Sequence, residues 1–567
     1  MKGFRSFLAL ILVLSAPALF AASFVATQNG NWSNASTWGG LGVPGSGDSA
    51  TISGVTVTVN ISVTVANLTL LAGTITGGNP LTVTATFNWD GGILDSGGPL
   101  TIPLGAQLNI ESPANHQISG GYIVNNSGTT HWTGGSIILD NSGLFSNQSG
   151  GLFSAECDCT IYQDFYNGTF SNAGTFRKTA TSGLTHVTSG VPFVNSGLID
   201  ITSGTFTADQ LTLNTGTTIT GSGFLVDAGG TTTVAGTATV PLGEAMGFAG
   251  GTITGAGTLT INGTLNWTGG AFDSGSGATT IASGGTLNIS GTADHQISGG
   301  STVNNGGTAH WIGGAILLNN NGSFSNQAGG LFRAECDCTI YQNFYNGTFS
   351  NAGIFRKAAG TGLTHVTSGV PFNNSGQIDV PSGTFTADQL NLNNGSTITG
   401  SGFLVNSGGT TNVAGTATVP FGDTAGVAGG TVTGAGTLTV NGTLKWTGGI
   451  FDSGTGSITI GSGGQFIISG AGDHQISGGS TIRNSGTTHW TGGRILINNS
   501  ALFDNQNLGI FSAECVCTVT ATFYNGSFTN SGTFRKATGG GLTNVTSLVP
   551  FNSSGVIDIT SGTFTAD

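Results

Sequence analysis

The chain has 567 residues, of which 101 are glycine and only 7% are charged, and 12 Lys plus Arg against 25 Asp plus Glu leave a formal net charge of −13. So small a basic complement excludes a nucleic-acid binder, which needs a cationic stripe to displace phosphate counterions, and excludes an electrostatic hold on anionic lipid. Disorder is excluded as well, because 33 Phe and 8 Trp run through the chain, an aromatic supply that disordered glycine-rich segments lack.

Residues 1–21 read as a secretory signal peptide. Lys2 and Arg5 form a positive n-region, Phe7 to Leu14 a short apolar core, and Ala16-Pro17-Ala18 or Leu19-Phe20-Ala21 a small-residue cleavage site. The apolar run is too short to span a bilayer. No later segment reaches transmembrane length, so the mature chain is expected to be secreted or held at the cell surface, with no membrane span.

Residues 22–72 form an N-terminal cap. Within them, Trp32, Trp38-Gly39-Gly40, Pro44 and Gly47-Asp48 precede an alternating strand. This arrangement, over residues 29–60, resembles the opening of secreted bacterial adhesin-like repeat proteins, parallel β-helices of the filamentous haemagglutinin and autotransporter passenger type. The resemblance implies a segment that covers the first rung and starts a coil, and an adhesive role at a surface.

A long repeat follows. His-Gln-Ile-Ser-Gly-Gly begins at His116, His295 and His474, and the Cys-x-Cys pairs begin at Cys157, Cys336 and Cys515, each series spaced by 179. Such self-similarity marks a repeat architecture. The boundaries are 73–250 for the first repeat, 251–429 for the second, and 430–567 for a third that is incomplete, as expected of a fragment. Within each repeat, short alternating runs such as Gly257-Thr258-Leu259-Thr260-Ile261 read as strands bounded by Gly, Asn and Ser. Phe-x-Asn recurs at Phe145-Ser146-Asn147, Phe165-Tyr166-Asn167 and Phe193-Val194-Asn195, a rung of roughly 20 residues. The expected fold is all-β, an elongated parallel β-solenoid (a right-handed β-helix) with about nine rungs per repeat. Tandem β-sandwiches are the competing architecture. The recurrent Asn is expected to stack in amide ladders at left-handed corners.

Candidate chemistry is best weighed in chain order within a repeat. Trp89, Trp267 and Trp446 suit core or corner positions. His116, His295 and His474 read as hydrogen-bonded turn histidines. His131-Trp132, His310-Trp311 and His489-Trp490 precede Gly-Gly turns and make a candidate aromatic shelf for sugars. At the cysteines, alternation places Cys157 and Cys159 inward with Phe153, Ala155 and Ile161, so they read as small core hydrophobes, with a local disulfide or a metal pair as alternatives. The same holds for Cys336 with Cys338 and for Cys515 with Cys517. Arg177-Lys178, Arg356-Lys357 and Arg535-Lys536 read as solvated faces. His186 and His365 become Asn544 in the third repeat.

The repeated acids Asp95, Asp273 and Asp452, Glu156, Glu335 and Glu514, and Asp200, Asp379 and Asp558 are isolated in sequence within each repeat. A glycosidase needs paired carboxylates, and one active site would make one repeat differ from its copies. No catalytic residue, metal site or cofactor is therefore expected. The expected function is a non-catalytic structural or adhesive repeat protein, binding carbohydrate or other surface ligands weakly and multivalently. A polysaccharide-active β-helix, hydrolase or lyase, is the alternative.

Overall fold

The computed structural model describes residues 21–567 apart from 274, 276, 453, 524 and 539. The stretch read as a signal peptide, 1–21, lies outside the described residues but for Ala21. The chain falls into two compact units, residues up to Ser154 with Gln163–Gly168, and Ala155–Tyr162 with Thr169–Asp567. Each is a parallel β-solenoid. Among the described residues the one helical element is a 3₁₀ turn, Ala35–Trp38, and no helix is long and apolar enough to cross a membrane.

The 3₁₀ turn explains the opening motif. Asn34 caps it, its side-chain oxygen accepting from the Ser36 N–H, and Gly39 ends it in the left-handed conformation at φ 73°, where a Cβ would be strained. The turn folds Trp38 edge-on against Trp32 at 4.8 Å. Both indoles are buried, and the N–H of Trp38 donates to Trp32 O at 2.9 Å while that of Trp32 donates to Pro44 O at 3.1 Å. Asp48 ties the start of the chain down by accepting from the Ala22 N–H at 2.9 Å.

Strands of three or four residues follow the alternation of the sequence. In Ser323–Asn326, Phe324 and Asn326 point inward while Ser323 and Ser325 face out, the period-two geometry of an extended chain. Three strands make one turn: Thr302–Asn305, Thr308–Trp311 and Ile316–Leu318 precede Ser323–Asn326, which stacks on the first. Inside, like packs on like. Phe324 stacks on Phe349 at 5.2 Å and Phe349 on Phe372 at 5.0 Å. Removing one such ring from a close-packed core costs about 3–5 kcal/mol.

The expected amide ladders are present, with their position corrected. Asn305, Asn326, Asn351 and Asn374 are buried at strand ends, each Nδ2 donating to the next Oδ1 at 2.8, 2.7 and 2.6 Å. The left-handed asparagines are others, including Asn167, Asn346 and Asn525. Phe165-Tyr166-Asn167 is therefore no rung. It is a corner loop, and the rung after it is Phe170-Ser171-Asn172.

The number of turns per repeat is also corrected. From Val303 the stacked partners run Phe324, Phe349, Phe372, Leu390, Thr411, Val432, Phe451 and Ile476, which is eight turns. The counterpart of Val303 one repeat on is Ile482, in the strand that follows the one holding Ile476. One repeat is thus eight and one third turns, because each turn has three strands. Equivalent residues of the second and third repeats, such as Val303 and Ile482, therefore lie on neighbouring faces of the solenoid. Within the repeats turn length varies as well, from 18 residues (Asn373 to Asn391) to 26 residues (Ile340 to Val366), and the extra residues lie at corners.

Candidate functional site: a recurrent polar groove

The sugar shelf expected at Trp132, Trp311 and Trp490 is not on the surface. All three indoles are fully buried at 0% exposure. Their N–H groups donate to Gly135 O at 3.0 Å, Gly314 O at 2.9 Å and Gly493 O at 3.0 Å. The reason is phase: each Trp ends a strand whose second and fourth residues point inward, which leaves the preceding His131, His310 and His489 outward. His310 Nδ1 lies 3.0 Å from Glu335, which also takes Arg333 at 2.6 Å, and His489 Nδ1 lies 2.8 Å from Glu514. Partial burial pushes the Glu335 carboxyl up, but the hydrogen bonds and charges of Arg333 and His310 outweigh it and hold it low.

The other histidine series is internal, not the turn histidines expected. His116, His295 and His474 are completely buried and meet Trp89, Trp267 and Trp446 edge-on at 5.3, 5.0 and 4.9 Å. Desolvation lowers the pKa of each, so the rings are neutral core members.

The cysteines depart from their preferred reading too. Cys157–Cys159, Cys336–Cys338 and Cys515–Cys517 are disulfides. A straight strand holds such Cα atoms about 6.5–7 Å apart. Here the chain bends between strands, and the Cα separations fall to 5.3, 5.3 and 5.4 Å. Over this bend lies a lysine expected in solvent. Lys178, Lys357 and Lys536 are fully buried, and their Nζ groups donate to Cys157 O, Cys336 O and Cys515 O. Asp158 and Asp337 pair with the first two at 2.9 and 2.6 Å. Val516 replaces that acid in the third repeat, and burial lowers the Lys536 pKa.

Most of the repeated acids are held by neighbours. Asp200, Asp379 and Asp558 accept from Arg177, Arg356 and Arg535 at 2.7, 2.6 and 2.9 Å, while Asp95 and Asp273 accept from Ser119 and Ser298.

The concave feature that recurs lies elsewhere. An open groove of about 570 Å³ is lined by His186, Ser189, Asp209, Gln210, Gly229 and Gly230 among others. A second, of about 510 Å³, is lined by their equivalents Ser368, Asp388, Gln389, Gly408 and Gly409. The aspartate of each is joined to a histidine one turn away, Asp209 to His186 Nε2 at 2.8 Å and Asp388 to His365 Nε2 at 2.9 Å. The glutamine after each aspartate donates back to the carbonyl of Ser189 or Ser368. The floor is glycine because the backbone is close-packed: a Cβ on Gly409 would stand 2.1 Å from Asp388 O. Gly408 beside it has open space above. The pairing was readable in principle, since His186 and Asp209 are 23 residues apart, close to one turn, and both recur in the second repeat as His365 and Asp388. Which corner it occupies was not.

No protein-family model and no curated protein sequence matches the chain. Among solved structures it is similar to the crystal structure of a TibC-catalysed, hyper-glycosylated TibA fragment, residues 55–350. The two are 14% identical, the match covers 83% of this chain and 99% of that one, and the TM-score is 0.12. The solenoid assignment stands on the chain's own strand register.

Proposed function

We propose that the chain is an exported, non-catalytic adhesive repeat protein of the cell surface or extracellular space, holding its ligand by several weak contacts rather than one strong site. The observation that carries this reading is the groove built twice from equivalent residues of successive repeats. A surface feature repeated with the scaffold lets one protein hold separate ligand chains at several points, whereas a single catalytic centre needs one copy to differ. Export is supported by the signal-peptide pattern read in the sequence of residues 1–21 and by three disulfides, which persist in oxidising compartments.

The alternative, a polysaccharide hydrolase or lyase, would need unpaired acids facing one another across a groove. Most of the acids above are instead engaged by arginine, lysine, histidine or serine. At the place of His186 the third repeat has Asn544, whose Oδ1 accepts from Thr565 at 2.7 Å. A neutral pair fills that position as well as a titratable one, which suits a bridge between turns better than a proton relay.

The test is to coat beads with the full mature chain, measure their retention on polysaccharide-coated and protein-coated surfaces, and assay the soluble chain for newly released reducing ends. Retention without release is expected. Release of reducing ends, or no retention on any surface, would overturn the proposal.

A further inference from the structure

A protein that buries all eight of its Trp nonetheless exposes an aromatic pair at the same corner of successive repeats. Phe165 and Tyr166 are 61% and 79% exposed, and Phe344 and Tyr345 are 60% and 82% exposed. Phe523 of the third repeat is 61% exposed. These side chains sit on a loop that is held in place. In the second repeat the N–H groups of Asn343 and Phe344 donate to Asn319 Oδ1 at 2.9 and 3.1 Å, and that Asn319 is buried in the preceding turn. The Gly347 N–H donates to Gln342 Oε1 at 2.9 Å, and Asn346 turns the chain at φ 68°. The first repeat builds the same loop on Asp140, which accepts from the Asp164 and Phe165 N–H groups at 2.8 and 2.9 Å. The third uses Asn498, at 2.9 and 3.2 Å. Aspartate and asparagine exchange freely here because the loop needs only an oxygen acceptor.

The loop adjoins the groove. In the second repeat, successive turns of one edge present the loop 342–347, then Ser368-Gly369, then Asp388-Gln389, then Gly408-Gly409. They touch in order. Gly369 lies against the Gln342 side chain, whose Cγ would be 2.5 Å from a Cβ placed there, and Gln389 donates to Ser368 O. The edge thus runs from an exposed aromatic pair into a polar groove over about 15 Å, three turns at about 4.8 Å each.

Resting on the adhesive reading, we infer that this edge is a saccharide-binding site, with Phe344 and Tyr345 as the platform for a sugar ring and the groove beyond as the hydrogen-bonding subsite. The ligand class follows from the groups present. Aromatic rings stack on the apolar face of a pyranose, while Ser368, Gln389, Thr410 and the Gly408-Gly409 backbone offer donors and acceptors to hydroxyls. The groove lining contains no Lys or Arg to meet an anion, and its one ionisable side chain is the acid Asp388, so the ligand is a neutral polysaccharide rather than a phosphorylated or sulfated one. The loop is fixed before binding, which lowers the ordering cost.

The experiment uses the full mature chain in affinity electrophoresis through gels containing a glucan, a xylan, a mannan or a galactan. A chain with Phe165→Ser, Tyr166→Ser, Phe344→Ser and Tyr345→Ser is run alongside, as is Gly408→Gln, which projects a side chain into the groove. These aromatic side chains are mostly exposed, so folding is preserved and is checked by circular dichroism. At least one polysaccharide is expected to retard the native chain, and the serine variant to bind it about fivefold or more weakly. Gly408→Gln should also bind less. Retardation by none of the four gels, or equal retardation of native and serine chains, would overturn the inference. So would sedimentation showing a dimer of the native chain that the serine substitutions dissolve, since the aromatics would then serve a second copy. Retention of the beads in the preceding assay without any polysaccharide retardation sinks this inference alone. Loss of both sinks the adhesive reading with it.

Discussion

Three buried histidines set how this protein responds to acid. His116, His295 and His474 have lost their solvent and stand edge-on to tryptophans, and desolvation holds their pKa below the ordinary value near 6.5. The folded chain therefore binds fewer protons than the unfolded chain as pH falls through that value. The stability these residues contribute is complete above about pH 6.5 and is lost progressively below it. Thermal melting followed at each half unit from pH 7.5 to pH 5 should show the midpoint falling below pH 6.5, and replacing all three by Phe should flatten that limb. A midpoint independent of pH across the range would show that these rings titrate normally. The acids act in a lower window. Hydrogen bonding from Lys357 holds the Asp337 carboxyl low, and hydrogen bonds from Thr181 and Lys178 do the same for Asp158, so their contribution fades only below the ordinary carboxylate range near pH 4.

At the scale of the strand, the asparagine ladder does what a phenylalanine stack cannot: it fixes register. Asn326 accepts from Asn305 and donates to Asn351, and its Nδ2 also reaches Ile354 O at 3.0 Å. The ladder has a direction, and Asn305 Oδ1, at its first member, has no donor. Shifting Ser323–Asn326 by one residue would turn Phe324 and Asn326 outward and bury Ser325 in place of the amide. Asn326→Ala leaves the Asn305 amide and the Ile354 carbonyl without their buried partner, at a cost of about 3 kcal/mol. Solenoids loosen locally rather than all at once. The measurement is therefore amide hydrogen exchange, which should quicken in strands 302–305, 323–326 and 348–351 while distant turns keep their protection. Uniform loss of protection, or none, would count against a register role.

At the scale of the molecule, the fraction of a turn left over in each repeat matters most. Within the unit formed by 155–162 and 169–567, the grooves at Asp209 and Asp388 are separated by eight and one third turns. That places them about 40 Å apart along the stack and on neighbouring edges, a third of a turn round. Two sites facing different ways cannot press together on one flat surface, but they can hold two separate chains. The protein is therefore expected to cross-link: mixed with a soluble polysaccharide it binds, it should raise viscosity or precipitate it near equivalence. Gly408→Gln, with one groove blocked, should still bind but no longer bridge. Binding that tightens cooperatively on a flat coated surface, with no bridging in solution, would contradict this geometry.

The strand alternation, the long period and the existence of asparagine ladders were legible in the sequence, because each follows from local pattern or exact recurrence. What escaped it shares one cause. Turn length within the repeats drifts between 18 and 26 residues, so no fixed count says which residues meet at a corner. Trp132 turned inward, Lys178 was buried over the Cys157–Cys159 bend, His186 met Asp209, and Phe344 and Tyr345 were left outside, all through where the chain bends. Local pattern alone dictates short alternating strands in a unit repeated three times; that they stack in parallel is decided by the assembled register. Which side chains face solvent, and in what direction each repeat looks, is settled by the assembled coil, because both depend on the summed residues of every turn beneath.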